Sequence, residues 1–580
     1  MTSTPQNEVL SSVSIALTGS GGSGVMTAGN MLLDAAAIAG CYGLMSRSSG
    51  PQIRGGEAAA MLRIARQPID GLDDTFQILG AIDWLNTDRF AAEIPLTAES
   101  VVIGDPSQGD APEAMIAPTK KRVELKMKEI GKTVPGARPN MIMLGYVAAL
   151  VGLPDDAVAE SVRRQLGEGS PKIEPSLAAV AAGRALAAET PYRFPLGPGG
   201  QAASRDRWLL TGNEAAGYGA LAGGVRFVAA YPITPATEVL EWMSPALADL
   251  GGVLVQAEDE LASINMAIGA SYGGTPSLTA TSGPGLSLMI EAFGLAVAAE
   301  IPLVLVDVMR AGPSTGIPTK SEQSDLNTAL YGVHGDAPHV VVAPNSIGDC
   351  LRATQWAVHL AERMQVPVLV LSDQSLGQAR IITDRPADIG LVGQRETAKP
   401  NGAEYRRYKI TESGISPMAV PGVPDLAYTA DGLEHNERGT PSSQEKDHTA
   451  QMDKRLRKLA AADYSKLWAD VEGDGEMAVI TWGSCTAPVR EAMSRARQSG
   501  IKARLISMRL LSPAQPELLA QALKGVSRLL VVEQTHGRQF YRHLRAEYDL
   551  PPSVQVMARP GPLPVRPAEV FSKIVEWSKS

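Results

Sequence analysis

Short apolar runs of strand length alternate along the chain with longer Ala-rich segments of helical character. Between Val13 and about Thr190 the runs are VSIALT, AAAMLRIA, TFQILGA and VVIG. That rhythm predicts a parallel sheet covered by helices. From Leu209 it resumes with VRFVAA, GVLVQA, SLTATS, PLVLVDVM, HVVVAP and PVLVLS. These runs are almost continuously apolar, as in strands buried on both faces. A third set, MAVITWG, KARLISM and SRLLVVEQ, alternates with helical segments from Pro488 and Pro513. The expected fold class is therefore α/β, with several doubly wound parallel-sheet domains.

Two stretches break the pattern. In PYRFPLGPGGQAASRDRW Pro and Gly crowd together and periodicity disappears, as in an exposed connection. From about Lys399 the apolar content falls, and TADGLEHNERGTPSSQEKDHTAQMDKRLRKL is polar and turn-rich. Long excursions of this kind are usually functional or disordered. The expected organisation is a first domain at 1–190, a linker at 191–206, a second domain at 207–398, a polar excursion and linker at 399–474, and a third domain at 475–580. No repeat of 20 to 50 residues is visible, which excludes solenoids.

Charge and cysteine content narrow the function. The 580 residues hold 53 Lys and Arg against 62 Asp and Glu, a net charge of -9, so neither nucleic acid nor an anionic membrane is an expected partner. Cys41, Cys350 and Cys485 are too dispersed to assemble an iron–sulfur or zinc site within the chain. The start, MTSTPQNEVLSSVS, lacks a basic and apolar leader, and the most apolar stretch, Gly294 to Val308, is interrupted by Glu300 and Pro302. A reducing cytoplasm is the expected location.

Candidate chemistry begins at Gly19 to Gly24, GSGGSG, which satisfies G-x-G-x-x-G after a strand and before a helix. Such a turn aims backbone N–H groups at a phosphate. The acidic residue that would hold a ribose about 20 positions on is missing, so a phosphate cradle through Gly19, Gly21, Gly22 and Gly24 fits better than a nicotinamide site, and a turn serving only helix–strand packing stays equally open. Arg47 and Arg54 bracket SSGPQIRGGE, a turn-rich loop that offers guanidiniums to phosphates.

The sharpest segment is YPITPATE, Tyr231 to Glu238, directly after the run VRFVAA. Two prolines fix the backbone at a strand's C-terminal end and present the Thr234 hydroxyl. AEDELASINMAIGA places Glu258 and Glu260 ahead of a helix, TSGPGLSLMIE puts Ser282, Gly283 and Gly285 at another strand-to-helix turn, and VMRAGPSTGIPTKSEQSDL carries Arg310. Four such turns on one sheet edge outline a single cleft.

Together these segments resemble the α subunit of the 2-oxoacid:ferredoxin oxidoreductases, with the family's γ domain (residues 13 to about 190) fused ahead of a thiamine-diphosphate pyrimidine-side domain and a transketolase C-terminal-like domain. The resemblance implies a subunit that turns a 2-oxoacid, CoA and oxidised ferredoxin into acyl-CoA, CO2 and reduced ferredoxin. It matches Glu260 to the glutamate that bonds the aminopyrimidine of thiamine diphosphate, Thr234 to a substrate-contacting threonine, and Arg310 to the arginine near the substrate carboxylate. Tyr231, Pro232, Ile233, Ser282 and Gly283 join Glu260 in the implied cofactor pocket. Glu260 has a chemical reason to be there, because a carboxyl bonded to the ring nitrogen favours the imino form that removes the cofactor's C2 proton, and an apolar pocket keeps such a proton in place.

The other half of the chemistry is not expected in this chain. The family's diphosphate and Mg2+ signature is GDG followed by Asn, and the one GDG, Gly473 to Gly475, sits in an acidic turn with no such Asn. The resemblance therefore implies a β subunit supplying Mg2+, the diphosphate pocket and a [4Fe-4S] cluster, in an (αβ)2 assembly that reduces ferredoxin. CoA is expected where the N-terminal domain meets the central cleft, its phosphates near Arg47, Arg54 or the Gly19 to Gly24 turn. The fusion and STGIPTKSEQSDL look most like members acting on 2-oxoglutarate, run oxidatively or in the carboxylating direction. Lys320, Arg47 or Arg54 would hold the distal carboxylate, and His435 is a weaker choice, expected as a solvated loop residue. Pyruvate or branched-chain 2-oxoacids are the alternative substrates; a CoA-binding scaffold and an NAD-dependent dehydrogenase are the alternative functions.

Overall fold

The computed structural model describes residues 10–50, 56–197, 206–317 and 320–579. By internal contacts the chain forms two units, one of residues 1–210 with 378–385 and 566–568, the other of 211–377 with 386–565 and 569–580.

The first unit is built on an eight-stranded sheet in the order 121–124, 101–104, 78–81, 12–20, 57–65, 42–49, 380–384, 207–211. One half is parallel, as expected: Ser12–Ser20, Ile78–Ala81, Val101–Gly104 and Lys121–Glu124 run the same way. The other half corrects the expectation, because Glu57–Ala65 runs antiparallel to both Ser12–Ser20 and Tyr42–Ser49. Only seven residues separate Ser49 from Glu57, too few for the crossover that a parallel pair requires. The segment YGLMSRSS was not expected as a strand at all; it carries Arg47, which pairs across to Ala60 rather than sitting in a loop. Behind the sheet, helices Pro139–Val151 and Ile173–Ala188 cross at Gly145 and Gly183, where an added Cβ would lie 2.0 Å and 2.1 Å from carbonyl oxygens of the other helix. Small residues are needed there for the two backbones to approach.

The second unit holds two sheets. The larger has seven strands in the order 510–512, 340–342, 367–373, 303–309, 277–281, 227–230, 253–256. All six runs expected of the second domain are in it and run parallel. The seventh strand, Leu510–Ser512, comes from the C-terminal part and pairs antiparallel with Val340–Val342. The smaller sheet, 469–472, 503–508, 477–482, 528–533, 553–558, is parallel except for its first strand. One continuous apolar core includes Leu305, Val341 and Val370 of the larger sheet and Ile480, Ile506 and Val531 of the smaller.

The stretch 399–461 is not wholly solvated: Arg407, Tyr408, Met418, Ala419 and Leu459 are buried. Helix Glu445–Ala460 lays Lys454 and Lys458 onto Glu300, each donating to one carboxylate oxygen, with Lys458 at 2.8 Å. Arg407 donates to the Glu300 carbonyl oxygen at 2.8 Å, and all four residues are buried. His435, expected among solvated residues, is buried too, its ring 3.8 Å from that of Tyr408. A polar composition concealed this packing because the buried groups are charges paired with one another. Gly473 to Gly475 is a turn between Ala469–Glu472 and Met477–Trp482, with Cβ positions on both glycines blocked by the carbonyls of Ala503 and Lys502. No helix among the described residues is long and apolar enough to cross a membrane.

Candidate active site

The four turns singled out in the sequence all leave the C-terminal ends of adjacent parallel strands of the seven-stranded sheet, where open α/β sheets bind ligands. Phe227–Ala230 leads to Tyr231–Thr234, Val253–Gln256 to Glu260, Ser277–Thr281 to Ser282, and Leu303–Met309 to Arg310.

Tyr231 is 40% exposed, while Pro232, Ile233 and Thr234 are half-buried. The peptide bond between Thr234 and Pro235 is cis. Two side chains hold this turn: Arg310 donates from Nη1 to the Thr234 carbonyl at 3.0 Å, and buried Asn213 donates from Nδ2 to the Pro235 carbonyl at 2.8 Å and to Glu238 at 2.9 Å. Two of the three residues matched to catalytic roles, Thr234 and Arg310, are therefore in direct contact.

Of the two acids before the next helix, Glu258 is exposed and Glu260 is buried, only 7% accessible. Asp259 caps the helix by accepting from the Ala262 N–H at 2.7 Å, which fixes the direction in which Glu260 leaves the first turn. The Glu260 carboxylate has no hydrogen-bond partner among the described residues, and it lies against the Ser282–Gly285 turn: a Cβ on Gly285 would sit 2.9 Å from Glu260 Oε1 and 2.0 Å from Thr281 Oγ1. Gly285 is the space that admits the acid. Ser282 is fully buried and its hydroxyl has no partner among the described residues. Gly283 meets a different carboxylate, that of Asp325, 2.7 Å from its Cβ position. Tyr231, Leu261, Met266 and Leu288 are exposed apolar side chains on these same turns and the helices that follow them.

Sequence reasoning missed three parts of this site. Asn213 buttresses the YPITPATE turn. Gln323 pins the segment after Arg310, donating to the Trp482 carbonyl at 2.9 Å and accepting from the Gln534 N–H at 2.8 Å. Asp307 is an aspartate inside the otherwise apolar strand LVLVDVM and is wholly buried. That lone acid in an apolar run was an available signal.

In the first unit Gly19 is the penultimate residue of the strand Ser12–Ser20, Gly21 and Gly22 lie in the turn, and Gly24, at φ +85°, precedes helix Val25–Ile38. Asp83 already serves this turn: its carboxylate accepts from the Ser20 N–H at 3.0 Å, the Ser20 hydroxyl at 2.8 Å and the Leu85 N–H at 3.1 Å. The turn also borders a cavity of about 830 Å³ whose lining includes Gly21, Gly22, Asp83, Arg138, Asn140 and Lys172. Arg47 is exposed, its Nε donating to Gln378 at 3.4 Å. Arg54 lies outside the described residues. Lys320 is half-buried, and its carbonyl accepts from the Ala311 N–H at 2.8 Å.

Residues 218–454 match the family described as pyruvate flavodoxin/ferredoxin oxidoreductase, thiamine diP-binding, residues 14–186 match pyruvate ferredoxin/flavodoxin oxidoreductase, and residues 468–538 match the transketolase C-terminal domain. The KorA subunit of a 2-oxoglutarate synthase from Methanothermobacter marburgensis is 36% identical over 376 residues, which is 64% of this chain and 99% of that one. The chain belongs to the 2-oxoacid:ferredoxin oxidoreductases. A 2-oxoacid:ferredoxin oxidoreductase subunit alpha from Saccharolobus solfataricus is 29% identical across 93% of this chain and 94% of its own length. The solved 2-oxoglutarate:ferredoxin oxidoreductase from Magnetococcus marinus, with 2-oxoglutarate, coenzyme A and succinyl-CoA bound, superposes with a TM-score of 0.90 at 33% identity, covering 98% of this chain and 99% of that one. The subunit names of these oxidoreductase relatives describe multi-subunit enzymes, and residues 218–454 are the family's thiamine-diphosphate-binding domain.

Proposed function

We propose that the chain is the fused γ–α subunit of an enzyme that converts 2-oxoglutarate, CoA and oxidised ferredoxin to succinyl-CoA, CO2 and reduced ferredoxin, working in the cytoplasm. The observation that carries this reading is the convergence of Glu260, Thr234 and Arg310 on one sheet edge, with a buried glutamate that has no partner among the described residues. Such a carboxyl fits an aminopyrimidine ring, which offers the hydrogen-bonding nitrogen that Glu260 lacks. When bound, thiamine diphosphate supplies the carbon nucleophile that accepts the 2-oxoacid and stabilises the charge left by loss of CO2. Glu260 holds and returns a proton at the ring nitrogen. Arg310 presents a guanidinium to the substrate's 1-carboxylate and at the same time ties down the Thr234 carbonyl, so the substrate-contacting turn and the carboxylate clamp are set by one side chain.

A β partner would complete the assembly as (αβ)2, providing Mg2+, the diphosphate pocket and the [4Fe-4S] exit for electrons. Tyr231, Leu261, Met266 and Leu288, exposed on the turns and helices of the site, are apolar surface it would cover. The test is reconstitution: the chain with its partner should reduce a viologen dye in the presence of a 2-oxoacid and CoA, and the chain alone should not. Turnover by the isolated chain would refute the division of labour. With a cation such as Lys320 on the distal carboxylate, 2-oxoglutarate should exceed 2-oxobutyrate in kcat/KM by about 10⁴-fold, the scale on which a site built for a polar group rejects an analogue lacking it. Comparable rates would move the assignment to pyruvate or branched-chain acids.

CoA brings phosphates to an acidic protein and needs local cations. Arg47 and Arg54 suit them better than the Gly19 to Gly24 turn, where Asp83 already takes the Ser20 N–H. Removing both charges should raise KM for CoA several-fold and leave KM for the 2-oxoacid nearly unchanged; the reverse pattern would place CoA elsewhere.

A further inference from the structure

Behind Arg310 stands a pair of acids that the reaction as described above does not use. Asp307 is the fifth residue of strand Leu303–Met309 and is wholly buried; Asp325 immediately precedes helix Leu326–Tyr331. Their carboxyl groups lie within hydrogen-bonding reach of each other. No N–H or O–H of another described residue satisfies either Asp307 oxygen or Asp325 Oδ2. Two bare carboxylates in contact at a buried site cannot both stay ionised, so the pair shares one proton. Burial and Asp325 push Asp307 well above the usual carboxylate range, and burial pushes Asp325 up to about 6.

The surroundings of the pair make its remaining charge responsive. Arg310 and Glu322 are the other charged groups that bear on Asp325, Arg310 favouring its ionised form and Glu322 opposing it. Arg310 acts at a distance, since Asp325 forms no ion pair among the described residues, and its own Nε is buried without a partner. Through Gly283 the Asp325 carboxylate abuts the Ser282–Gly285 turn, and Glu260 abuts the same turn through Gly285. The pair is thus built into the wall of the site.

We propose that Asp307 and Asp325 take up a proton when a 2-oxoacid carboxylate pairs with Arg310, making substrate binding proton-linked, with Asp325 a positioning residue for Arg310. This rests on the reading of Arg310 as the carboxylate-binding residue. Among the described residues, the guanidinium is the one positive charge that offsets Asp325. Once a substrate carboxylate neutralises it, the pair's net charge of minus one is uncompensated in a buried setting. A solvent proton then converts the singly protonated pair to a doubly protonated, neutral one, and nothing else is made or broken. Without that uptake the new carboxylate would face the charge of Asp325 across Arg310.

The experiment is calorimetric titration of the reconstituted complex with N-oxalylglycine, a 2-oxoglutarate mimic that does not decarboxylate, in pairs of buffers of different ionisation enthalpy between pH 5.5 and 8. The wild type should take up a proton, at most about one per site, and bind more tightly as pH falls, by no more than about tenfold per pH unit, the limit for one proton. D325N should still bind the probe but lose both the buffer-dependent heat and the pH slope, and D307N should do the same. A wild-type complex with no buffer-dependent heat overturns the proposal whether or not the variants fold. If R310Q abolishes binding while D325N keeps the proton uptake, the Arg310 reading stands and the proposal falls. If R310Q binds as wild type does, the Arg310 reading itself falls.

Discussion

Replacing Glu260 with glutamine should slow proton–deuterium exchange at C2 of thiamine diphosphate in the reconstituted complex by about 10²- to 10⁴-fold, the usual contribution of a positioned acid–base group. The amide fills the same space beside Gly285 and Thr281, so fold and cofactor affinity should change little. What it lacks is an exchangeable carboxyl proton. The site makes this loss unrecoverable from within, because no other described residue hydrogen-bonds the Glu260 carboxylate, and the neighbouring acid, Glu258, is exposed to solvent. Acid-quenched exchange followed by proton NMR measures the step directly, before CO2 loss or electron transfer can mask it. An exchange rate equal to wild type would remove Glu260 from the role.

The parts of the fold legible in the sequence are those with a local signature. Strands such as Leu303–Met309 and Pro367–Asp373 are buried on both faces, so nearly every position is apolar, Asp307 and the terminal Ser372 and Asp373 apart, and the run is visible without knowing its neighbours. The YPITPATE turn was legible for a similar reason: proline restricts the backbone wherever it occurs. Strand Tyr42–Ser49 was not, because YGLMSRSS ends in polar residues, and the pairing of its backbone with Glu57–Ala65 leaves no mark in that composition. The antiparallel half of the first sheet depends on that pairing and went unseen with it. Likewise the strand Arg380–Asp384 joins a sheet whose other members lie far away in the chain, and proximity of that kind leaves no periodic trace.

At the site the same division holds. Glu260 and Arg310 occupy strand-to-helix turns, where a charged residue stands out. Asn213 and Gln323 do their work through backbone carbonyls of segments 22 and 159 residues away, and an amide gives no advance sign of which carbonyl it will meet. Glu300 was read only as an interruption of an apolar stretch. It is in fact the acid on which a polar segment more than 150 residues later is anchored.

That anchor gives the largest expected effect on stability. Glu300→Ala should destabilise the second unit by about 3–5 kcal/mol, the cost of leaving buried charge uncompensated, because Lys454 and Lys458 would lose the one carboxylate they pair with among the described residues while Arg407 stays buried beside them. Multi-domain chains rarely unfold in one step, so hydrogen exchange in helix Glu445–Ala460, compared with strand Met477–Trp482, is the better measure. The helix should lose protection first. The pH dependence has a definite sign. Burial alone would raise the Glu300 carboxyl, but Lys458, Lys454 and Arg407 outweigh it and hold it well below its ordinary 4.5, so its stabilisation is present above about pH 4.5 and is lost as pH falls. Lys454 is displaced the other way, brought by burial from 10.5 to about 8, so its contribution rises as pH climbs from 8 towards 10.5. In Glu300→Gln the acid-side loss should vanish, and the alkaline gain should begin lower, in the neutral range, as the lysines shed protons they can no longer pair. Replacing Glu300, Lys454 and Lys458 together by Leu and Met should recover most of the protection lost in Glu300→Ala, since it removes both paired lysines along with the acid and leaves Arg407 on the Glu300 and Ser416 backbone carbonyls it already meets. If the triple variant were as labile as the single one, the cluster would have to contribute through specific geometry rather than through compensation of charge.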